Sequence, residues 1–260
     1  MTALLEGRRA IVTGAARGIG EATARRFCEQ GARVVLTDRD GDAVEAAAAK
    51  LRNAGHDAHG RALDVTDEAE VERVLGAAAD LLGGLDIAVA NAGVLAVSPL
   101  AELSLADFER TLRVNIVGVF LTLKHALPHL RAAGGGALLC TTSQAGVHGY
   151  PDMSAYCASK FAVVGIVESL AQELAADGIR VCAVAPGVTD TEMYGELLRA
   201  RARLWGVDEK TADERIRRTV PFGRTASADE VADAFVYLAS PQAAYVSGVA
   251  LVLDAGELSG

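Results

Sequence analysis

Residues 12–22 read VTGAARGIGEA, with Gly14, Gly18 and Gly20 placed between an apolar run and the start of a helical segment. Glycines allow a tight turn and a close backbone approach, and a helix N-terminus presents unpaired N–H groups to an anion. The stretch lacks the Gly-Lys-Ser/Thr ending of a triphosphate-binding loop, and its G-x-x-x-G-x-G spacing differs from G-x-G-x-x-G. Taken alone, it indicates either a pyrophosphate site or a plain turn.

Apolar segments of strand length alternate with segments of helical periodicity on both sides of this loop. The predicted strands lie at 9–14, 33–38, 57–65, 85–93, 136–143, 179–187 and 248–256, and the predicted helices at 19–30, 41–54, 67–82, 104–131, 154–177 and 228–239. This order favours a parallel sheet covered by helices on both faces. We therefore predict an α/β fold, a three-layer, Rossmann-like, doubly wound parallel sheet of about seven strands.

No linker or repeat divides the chain, so residues 1–260 are predicted to form a single dinucleotide-binding and catalytic domain. The regular alternation is interrupted at about 188–226, where charged helical sequence stands between two strands. Insertions after the carboxyl end of a strand commonly build substrate lids in such sheets. Most of the Lys and Arg residues of this insert are interpreted as a solvated helical face.

Composition excludes several classes of partner. The formal net charge of −9 argues against nucleic acid, and no apolar stretch approaches the roughly 20 residues of a membrane helix. The N-terminus lacks a signal peptide pattern, so a cytoplasmic protein is expected. His125 and His129 are four residues apart but have no third ligand, so no metal site is predicted. The cysteines lie far apart and are expected to be buried free thiols: Cys28, Cys140, Cys157 and Cys182.

An acid after the second strand favours the pyrophosphate interpretation of the glycine loop. Asp38 lies roughly 20 residues beyond the loop, where a carboxylate can accept hydrogen bonds from an adenosine ribose. Because a 2′-phosphate would meet a like charge there, NAD is favoured over NADP, although Arg17 or Arg39 could weaken that preference. Asp38 could instead be a helix N-cap, and Asp64 is a candidate for the adenine edge or a turn residue.

Tyr156 and Lys160 are four residues apart and therefore share one face of a predicted helix. A phenol has a pKa of about 10, so it serves as a base near neutral pH only if that pKa is lowered by roughly 2 to 3 units. A neighbouring ammonium favours the phenolate in this way, and a positive nicotinamide ring would add to that effect. Such a pair is common by chance, and Ser143 at the end of the preceding strand is unremarkable by itself.

Taken together, the motifs resemble the short-chain dehydrogenase/reductase family over essentially the whole chain. The resemblance rests on T-G-A-A-R-G-I-G (13–20), N-A-G (91–93), Asn115 in RVNIVG, Ser143, Y-C-A-S-K (156–160) and P-G-V-T-D-T (186–191), in the order and spacing of that family. Two departures are visible, because Ala90 and Ala185 stand where many members have Asn.

The resemblance implies a role for each matching residue. Tyr156 would be the general acid/base, Lys160 would lower its pKa and hold the nicotinamide ribose, Ser143 would polarise the carbonyl, and Asn115 would hold a water between Lys160 and solvent. Besides Tyr156 and Lys160, the implied cofactor-binding residues are Gly14, Arg17, Gly18, Ile19, Gly20, Asp38, Arg39, Asp64, Val65, Asn91, Ala92, Gly93, Pro186, Gly187, Val188 and Thr191. A homotetramer is also implied.

The expected activity is hydride transfer between NAD(H) and a secondary alcohol or ketone, such as a polyol or diol. The alternatives are a 3-oxoacyl-type or other ketone reductase of the same family, a nucleotide-sugar epimerase or dehydratase, and a non-catalytic nucleotide-binding sensor. The intact Ser143, Tyr156 and Lys160 set argues against the sensor. Candidate substrate contacts lie in the loop after Ser143 and in the insert: Gln144, His148, Tyr150, Met193 and Trp205.

Overall fold

The computed structural model describes residues 3–259; residues 1, 2 and 260 of the predicted domain lie outside the described part. Within it, the chain forms one parallel sheet in the strand order β3-β2-β1-β4-β5-β6-β7. The strands are β1 (Arg9–Thr13), β2 (Arg33–Asp38), β3 (Ala58–Ala62), β4 (Ile87–Ala90), β5 (Gly136–Thr141), β6 (Ile179–Pro186) and β7 (Ala250–Leu253). The predicted seven-stranded sheet is confirmed.

Alternate residues of each central strand enter two separate cores. Ile11 of β1 and Val35 of β2 lie in one apolar cluster, whereas Val12 and Val34 lie in the other. Successive side chains of a strand point to opposite faces, so a strand buried on both faces must be apolar at nearly every position. This requirement explains why the strands appear in the sequence as continuous apolar runs.

Helices cover both faces of the sheet and complete the three layers. They are α1 (Gly18–Glu29), α2 (Gly41–Asn53), α3 (Glu68–Leu82), α4 (Leu105–Leu112), α5 (Gly118–Ala132), α6 (Ser154–Glu173), α7 (Glu192–Trp205), α8 (Glu209–Arg217) and α9 (Ala228–Ala239). Phe27 of α1 and Phe235 of α9 share one core, and Val119 of α5 and Val163 of α6 share the other. By length and composition alone α6 could cross a membrane, but it packs here as a core helix.

Several elements are shorter than the sequence predicted, and two of the differences bear on the cleft. The helix predicted over 104–131 is divided into α4 and α5 by a π-helical turn at Arg113–Val117, which contains Asn115. The strand predicted over 57–65 ends at Ala62, because Asp64 turns the chain by accepting hydrogen bonds from the backbone and hydroxyl of Thr66. Both departures lie beside the functional cleft.

The insert at 188–226 contains α7 and α8, and its first and last residues lie next to each other. A β-bridge pairs Thr189 with Ala226 in parallel, so the intervening helices leave and rejoin the sheet together. Residues of α7 and α8 line the cleft over the carboxyl ends of the strands. The substrate lid predicted over about 188–226 would therefore lie beside this cleft, and its role stays a prediction.

Candidate active site

A cleft of about 770 Å³ lies over the carboxyl ends of the central strands. The strand order runs outward from β1 to β2 and β3, and then to β4 and β5 on the other side. Ligands of open α/β sheets bind at such a switch point, where neighbouring connections leave in opposite directions. Residues of the glycine loop, α7 and α8 all line this cleft.

The glycine loop approaches the end of β4 too closely for side chains. A Cβ on Gly14, whose φ is +62°, would stand 2.7 Å from Cα of Ala92. A Cβ on Gly20 would overlap the carbonyl oxygen of Gly14 and stand 2.5 Å from Nδ2 of Asn91. Arg17, at the N-cap of α1, makes no side-chain capping bond. The first-turn N–H groups can therefore bind a pyrophosphate, which fits the predicted nucleotide site.

The acids predicted to contact the nucleotide are held in fixed positions. Asp38, at the end of β2, accepts hydrogen bonds from the backbone N–H of Ala16 at 3.2 Å and of Asp40 at 3.1 Å. The hydrogen bonds from Thr66 hold the pKa of Asp64 below its usual value. Both residues line the cleft, and their predicted contacts with the adenosine end of a dinucleotide stay predictions.

The two arginines near Asp38 differ in their surroundings. The guanidinium of Arg17 forms an ion pair of 2.6 Å with Glu192 at the start of α7. Arg39 is exposed and makes no salt bridge among residues 3–259. Arg17 is therefore directed to the insert, whereas Arg39 has no competing carboxylate partner.

The side chain of Asn91 forms hydrogen bonds with other residues of the chain and has no free amide proton for a ligand. Its Nδ2 donates to the carbonyl oxygens of Thr13 at 2.9 Å and Gly14 at 3.0 Å, and its Oδ1 accepts from the hydroxyl of Thr141 at 2.8 Å. These bonds use both amide protons, so the side chain positions the glycine loop. Ala92 and Gly93, which follow it, line the cleft together with Asn91.

Tyr156 and Lys160 lie in the first turns of α6, and both are almost fully buried. The ammonium of Lys160 donates to the carbonyl oxygen of Thr141 at 2.9 Å and lies 5.7 Å from the centre of the Tyr156 ring. Burial lowers the pKa of Lys160 to about 8. The two side chains and Ser143, which follows β5, all line the cleft.

The pKa of Tyr156 lies above the ordinary value of a tyrosine. Burial raises it to about 12, and the hydrogen bond with Ser143 lowers it only in part. Burial also disfavours the charged form of Lys160. The lowering of the Tyr156 pKa by Lys160 and by a positive nicotinamide ring stays a prediction, and both charges would have to act against the effect of burial.

Asn115 is completely buried in the π-helical turn and does not line the cleft. Its amide donates to the carbonyl oxygen of Val94 at 2.9 Å and to the Ser159 hydroxyl at 3.0 Å, and its Oδ1 accepts from the N–H of Val94 at 2.8 Å. A Cβ on Gly93 would stand 3.3 Å from this Oδ1 and 3.5 Å from Nζ of Lys160. The two polar groups thus face one point, which suits the water implied by the resemblance.

The remaining predicted cofactor residues also line the cleft. They are Gly14, Gly18, Ile19, Gly20, Val65, Pro186, Gly187, Val188 and Thr191, together with Arg17 and Arg39. Of the predicted substrate residues, Gln144, Tyr150, Met193 and Trp205 line it as well. His148 does not: its ring is exposed and packs edge-on against Tyr150, with the ring centres 5.2 Å apart. The structure therefore does not place His148 in the lining of the cleft.

Sequence reasoning missed several polar residues of the cleft. Arg201 was assigned to a solvated helical face, but it is buried and forms a 2.8 Å ion pair with Asp152. Glu257, near the end of the chain, accepts hydrogen bonds from Gln144 and Thr219. No motif marks these positions, because each acquires its role only when the insert and the C-terminal segment meet.

The chain matches the family model described as short chain dehydrogenase over residues 8–202. It is 43% identical to cis-4-hydroxycyclohexanecarboxylate dehydrogenase from Sinomonas cyclohexanicum, over 96% of each chain. It is 39% identical to D-threitol dehydrogenase from Mycolicibacterium smegmatis, over 97% of this chain and 93% of the relative. The solved structure of an actinorhodin polyketide ketoreductase with NADPH has a TM-score of 0.93 and 35% identity, over 96% and 97% of the two chains.

These matches confirm the resemblance seen in the motifs: the chain belongs to the short-chain dehydrogenase/reductase family. It is an oxidoreductase that acts on alcohol groups, and its family uses NAD or NADP. The cleft fits a dinucleotide, because the glycine loop and the start of α1 line it and no side chain caps the first-turn N–H groups of α1.

We predict that Gly20→Ala weakens nucleotide binding by more than about tenfold, because its methyl group would displace Gly14 or Asn91. Gly76→Ala in α3 is the matched control, since nothing lies within 4 Å of its added Cβ. That change should leave binding intact and raise stability by up to about 1 kcal/mol. NADH fluorescence titration and thermal melting measure both effects. Unchanged NADH affinity in Gly20→Ala would show that the loop does not hold the nucleotide.

Proposed function

We propose that the protein oxidises a small secondary alcohol to a ketone, reversibly, with NAD as the preferred cofactor and a polyol or diol as the substrate. The observation that carries the proposal is the convergence of Ser143, Tyr156 and Lys160 on one cleft, beside a glycine cradle with an acid at the end of β2. The 39% sequence identity between this chain and D-threitol dehydrogenase supports a hydroxylated substrate.

Ser143, Tyr156 and Lys160 each have a separate role in the proton transfer. The Ser143 hydroxyl donates to the substrate oxygen and holds it beside Tyr156, whose phenolate takes the hydroxyl proton as the carbinol C–H bond breaks. When bound, the nicotinamide ring accepts the hydride and contributes a positive charge. Lys160 supplies a second positive charge beside the phenol, and its other hydrogen bonds can go to the ribose and to a water near Asn115. Loss of one proton and one hydride converts the alcohol to the ketone.

We predict that Tyr156→Phe lowers kcat by at least about 10²-fold while NADH still binds, because the ring remains and the exchangeable proton does not. Retention of more than a few per cent of kcat would exclude Tyr156 as the acid/base.

The pH profile tests the same assignment. Burial places the Tyr156 proton on the oxygen at neutral pH, so alcohol oxidation should increase with pH as that proton is lost. Ketone reduction should decrease over the same range, because it needs the protonated phenol. Lys160→Met should move the inflection in kcat/KM for oxidation to higher pH, since no ammonium then favours the phenolate. Rates measured between about pH 6 and pH 10 decide this.

The preference for NAD follows from the charges around Asp38. Its carboxylate stays near the glycine loop through its bond to Ala16, and a 2′-phosphate would bring a second negative charge there. Arg17, the cation in the loop, is paired with Glu192, which reduces its capacity to bind that phosphate. Arg39 is the remaining cation that could favour NADP.

We predict that kcat/KM is at least about tenfold higher with NAD than with NADP, and that Asp38→Ala reduces this ratio by about tenfold or more. Asp42→Ala, an exposed acid in the first turn of α2, should leave the ratio unchanged. A wild-type preference for NADP would show that Arg39 overrides Asp38.

The choice of substrate class rests on the mixed lining of the cleft. Met193 and Trp205 provide apolar surface, and Gln144 and Tyr150 provide polar groups, which suits a small neutral molecule with hydroxyl groups. A 3-oxoacyl-type or other ketone reductase is the second candidate, supported by the likeness to the polyketide ketoreductase. Side-by-side kinetics on sugar alcohols, vicinal diols and a β-ketoacyl thioester separate them, and a tenfold advantage of the thioester would favour the reductase.

We also propose a homotetramer. Phe120 of α5 and Phe161 of α6 are each about half exposed, and Val252 of β7 is exposed at the edge of the sheet. Apolar surface of this kind is stabilised by burial between subunits. We predict a light-scattering mass four times that of the chain, and a smaller mass for Phe161→Glu because the charge would be desolvated at the interface. A monomeric wild-type protein at micromolar concentration would contradict the proposal.

A further inference from the structure

The C-terminal segment contributes a carboxylate to the substrate end of the cleft. Glu257 accepts a hydrogen bond from Nε2 of Gln144 at 3.3 Å and another from the hydroxyl of Thr219 at 3.1 Å. Gln144 directly follows Ser143, and Thr219 follows α8. The carboxylate therefore connects the lid to the loop of the reacting serine and is held by one donor on each oxygen.

Two buried polar groups beside this carboxylate are incompletely paired. Oε1 of Gln144 accepts no hydrogen bond and the Tyr150 hydroxyl donates none in the described part of the chain, although the Gln144 side chain lies close enough to the Tyr150 oxygen to lower the pKa of that phenol in part. Gln144 is only 7% exposed, and both residues line the cleft. An unmatched buried polar atom is unfavourable, so native structures seldom keep one without a ligand or water that pairs with it.

The chemistry of the two atoms identifies the group that would match them. Oε1 of Gln144 only accepts hydrogen bonds, whereas the Tyr150 hydroxyl can donate one. A substrate hydroxyl both donates and accepts, so a single hydroxyl can pair with both. A carboxylate could accept from Tyr150, but it would meet the lone pairs of Gln144 and the negative charge of Glu257.

Gln144 and Tyr150 lie in the same cleft as Ser143, which would hold the reacting oxygen. The hydroxyl of Ser143 lies 3.5 Å from the carbonyl oxygen of Pro186, and a Cβ on the next residue, Gly187, would stand 2.8 Å from Oε1 of Gln144. The carbonyl-polarising group and the unpaired acceptor thus face consecutive residues at the end of β6. A hydroxyl that reaches the receptor would be on a carbon one or two bonds from the reacting carbon.

We propose that Gln144, Tyr150 and Glu257 form a receptor for a second substrate hydroxyl, which selects vicinal or 1,3-diols over mono-alcohols and over hydroxy acids. The inference rests on the proposed oxidation of a secondary alcohol and adds the residues that choose among such alcohols. Arg215, which lines the cleft and stacks on Trp205, is the group that would favour a hydroxy acid instead.

The test compares matched substrates: 2,3-butanediol with 2-butanol, 2,4-pentanediol with 2-pentanol, and 3-hydroxybutanoate as the hydroxy acid, each stereoisomer being assayed separately. For at least one diol we expect kcat/KM more than about tenfold above that of its mono-alcohol, because the mono-alcohol leaves both buried atoms unpaired. Tyr150→Phe should abolish most of this advantage, because it should lower kcat/KM for the diol by a much larger factor than kcat/KM for the mono-alcohol, which does not use the lost donor.

Glu257→Gln tests the charge. It preserves the shape of the side chain, and it should raise kcat/KM for 3-hydroxybutanoate relative to 2-butanol by about tenfold. Glu173→Gln, at the exposed end of α6, is the matched control and should change neither ratio. Thermal melting of each variant establishes that it is folded.

The outcomes distinguish the receptor from the proposed function. If no secondary alcohol is oxidised with either nicotinamide cofactor, the proposed function fails and the receptor fails with it. If mono-alcohols and diols react equally, or if Tyr150→Phe slows both alike, only the receptor is overturned. A wild-type preference for 3-hydroxybutanoate that is lost in Arg215→Ala would assign specificity to the arginine.

Discussion

The side-chain amide of Asn91 fixes the distance between the two halves of the sheet at the point where the cleft opens. It forms hydrogen bonds with the carbonyl oxygen of Gly14 in the glycine loop and with the hydroxyl of Thr141 at the end of β5. The carbonyl oxygen of Thr141 in turn accepts a hydrogen bond from the ammonium of Lys160. Four residues thus connect the nucleotide loop to the catalytic helix by hydrogen bonds of 2.8 to 3.0 Å. A buried network of this kind is rigid because breaking any bond leaves a polar group unpaired.

The same burial that positions Tyr156 and Lys160 opposes the charges that catalysis requires. It raises the pKa of the phenol to about 12 and lowers that of the amine to about 8, so each group is driven toward its neutral form. A cationic nicotinamide beside them would favour the phenolate, whereas the reduced, neutral ring would not. Proton transfer would then be linked to the redox state of the cofactor, since the tyrosine would act as a base chiefly when an oxidant is bound.

The central part of the molecule could be predicted from sequence because local patterns determine it. Strands buried on both faces require continuous apolar runs, and the close approach at Gly14 and Gly20 requires glycine. The π-helical turn around Asn115, the burial of Arg201 and the contacts of Glu257 depend on residues 21 to 113 positions away in the chain. Neither periodicity nor spacing encodes such contacts, so the sequence could place Ser143, Tyr156 and Lys160 in one cleft but could not predict the contacts of Arg201 and Glu257.

Three polar contacts join the insert to other segments that line the cleft. Glu192, at the start of α7, pairs with Arg17 in the glycine loop, and Arg201, near its end, pairs with Asp152. Asp152 has a φ of +61°, in the left-handed region that Asp adopts more readily than most other residues, and its carboxylate is held by the buried guanidinium of Arg201. Thr219 then reaches Glu257. Tyr156 and Lys160 thus lie outside the insert, on α6. The insert itself contacts both the glycine loop and Glu257. Substitutions in the insert can therefore alter the lining of the cleft without changing Tyr156 or Lys160.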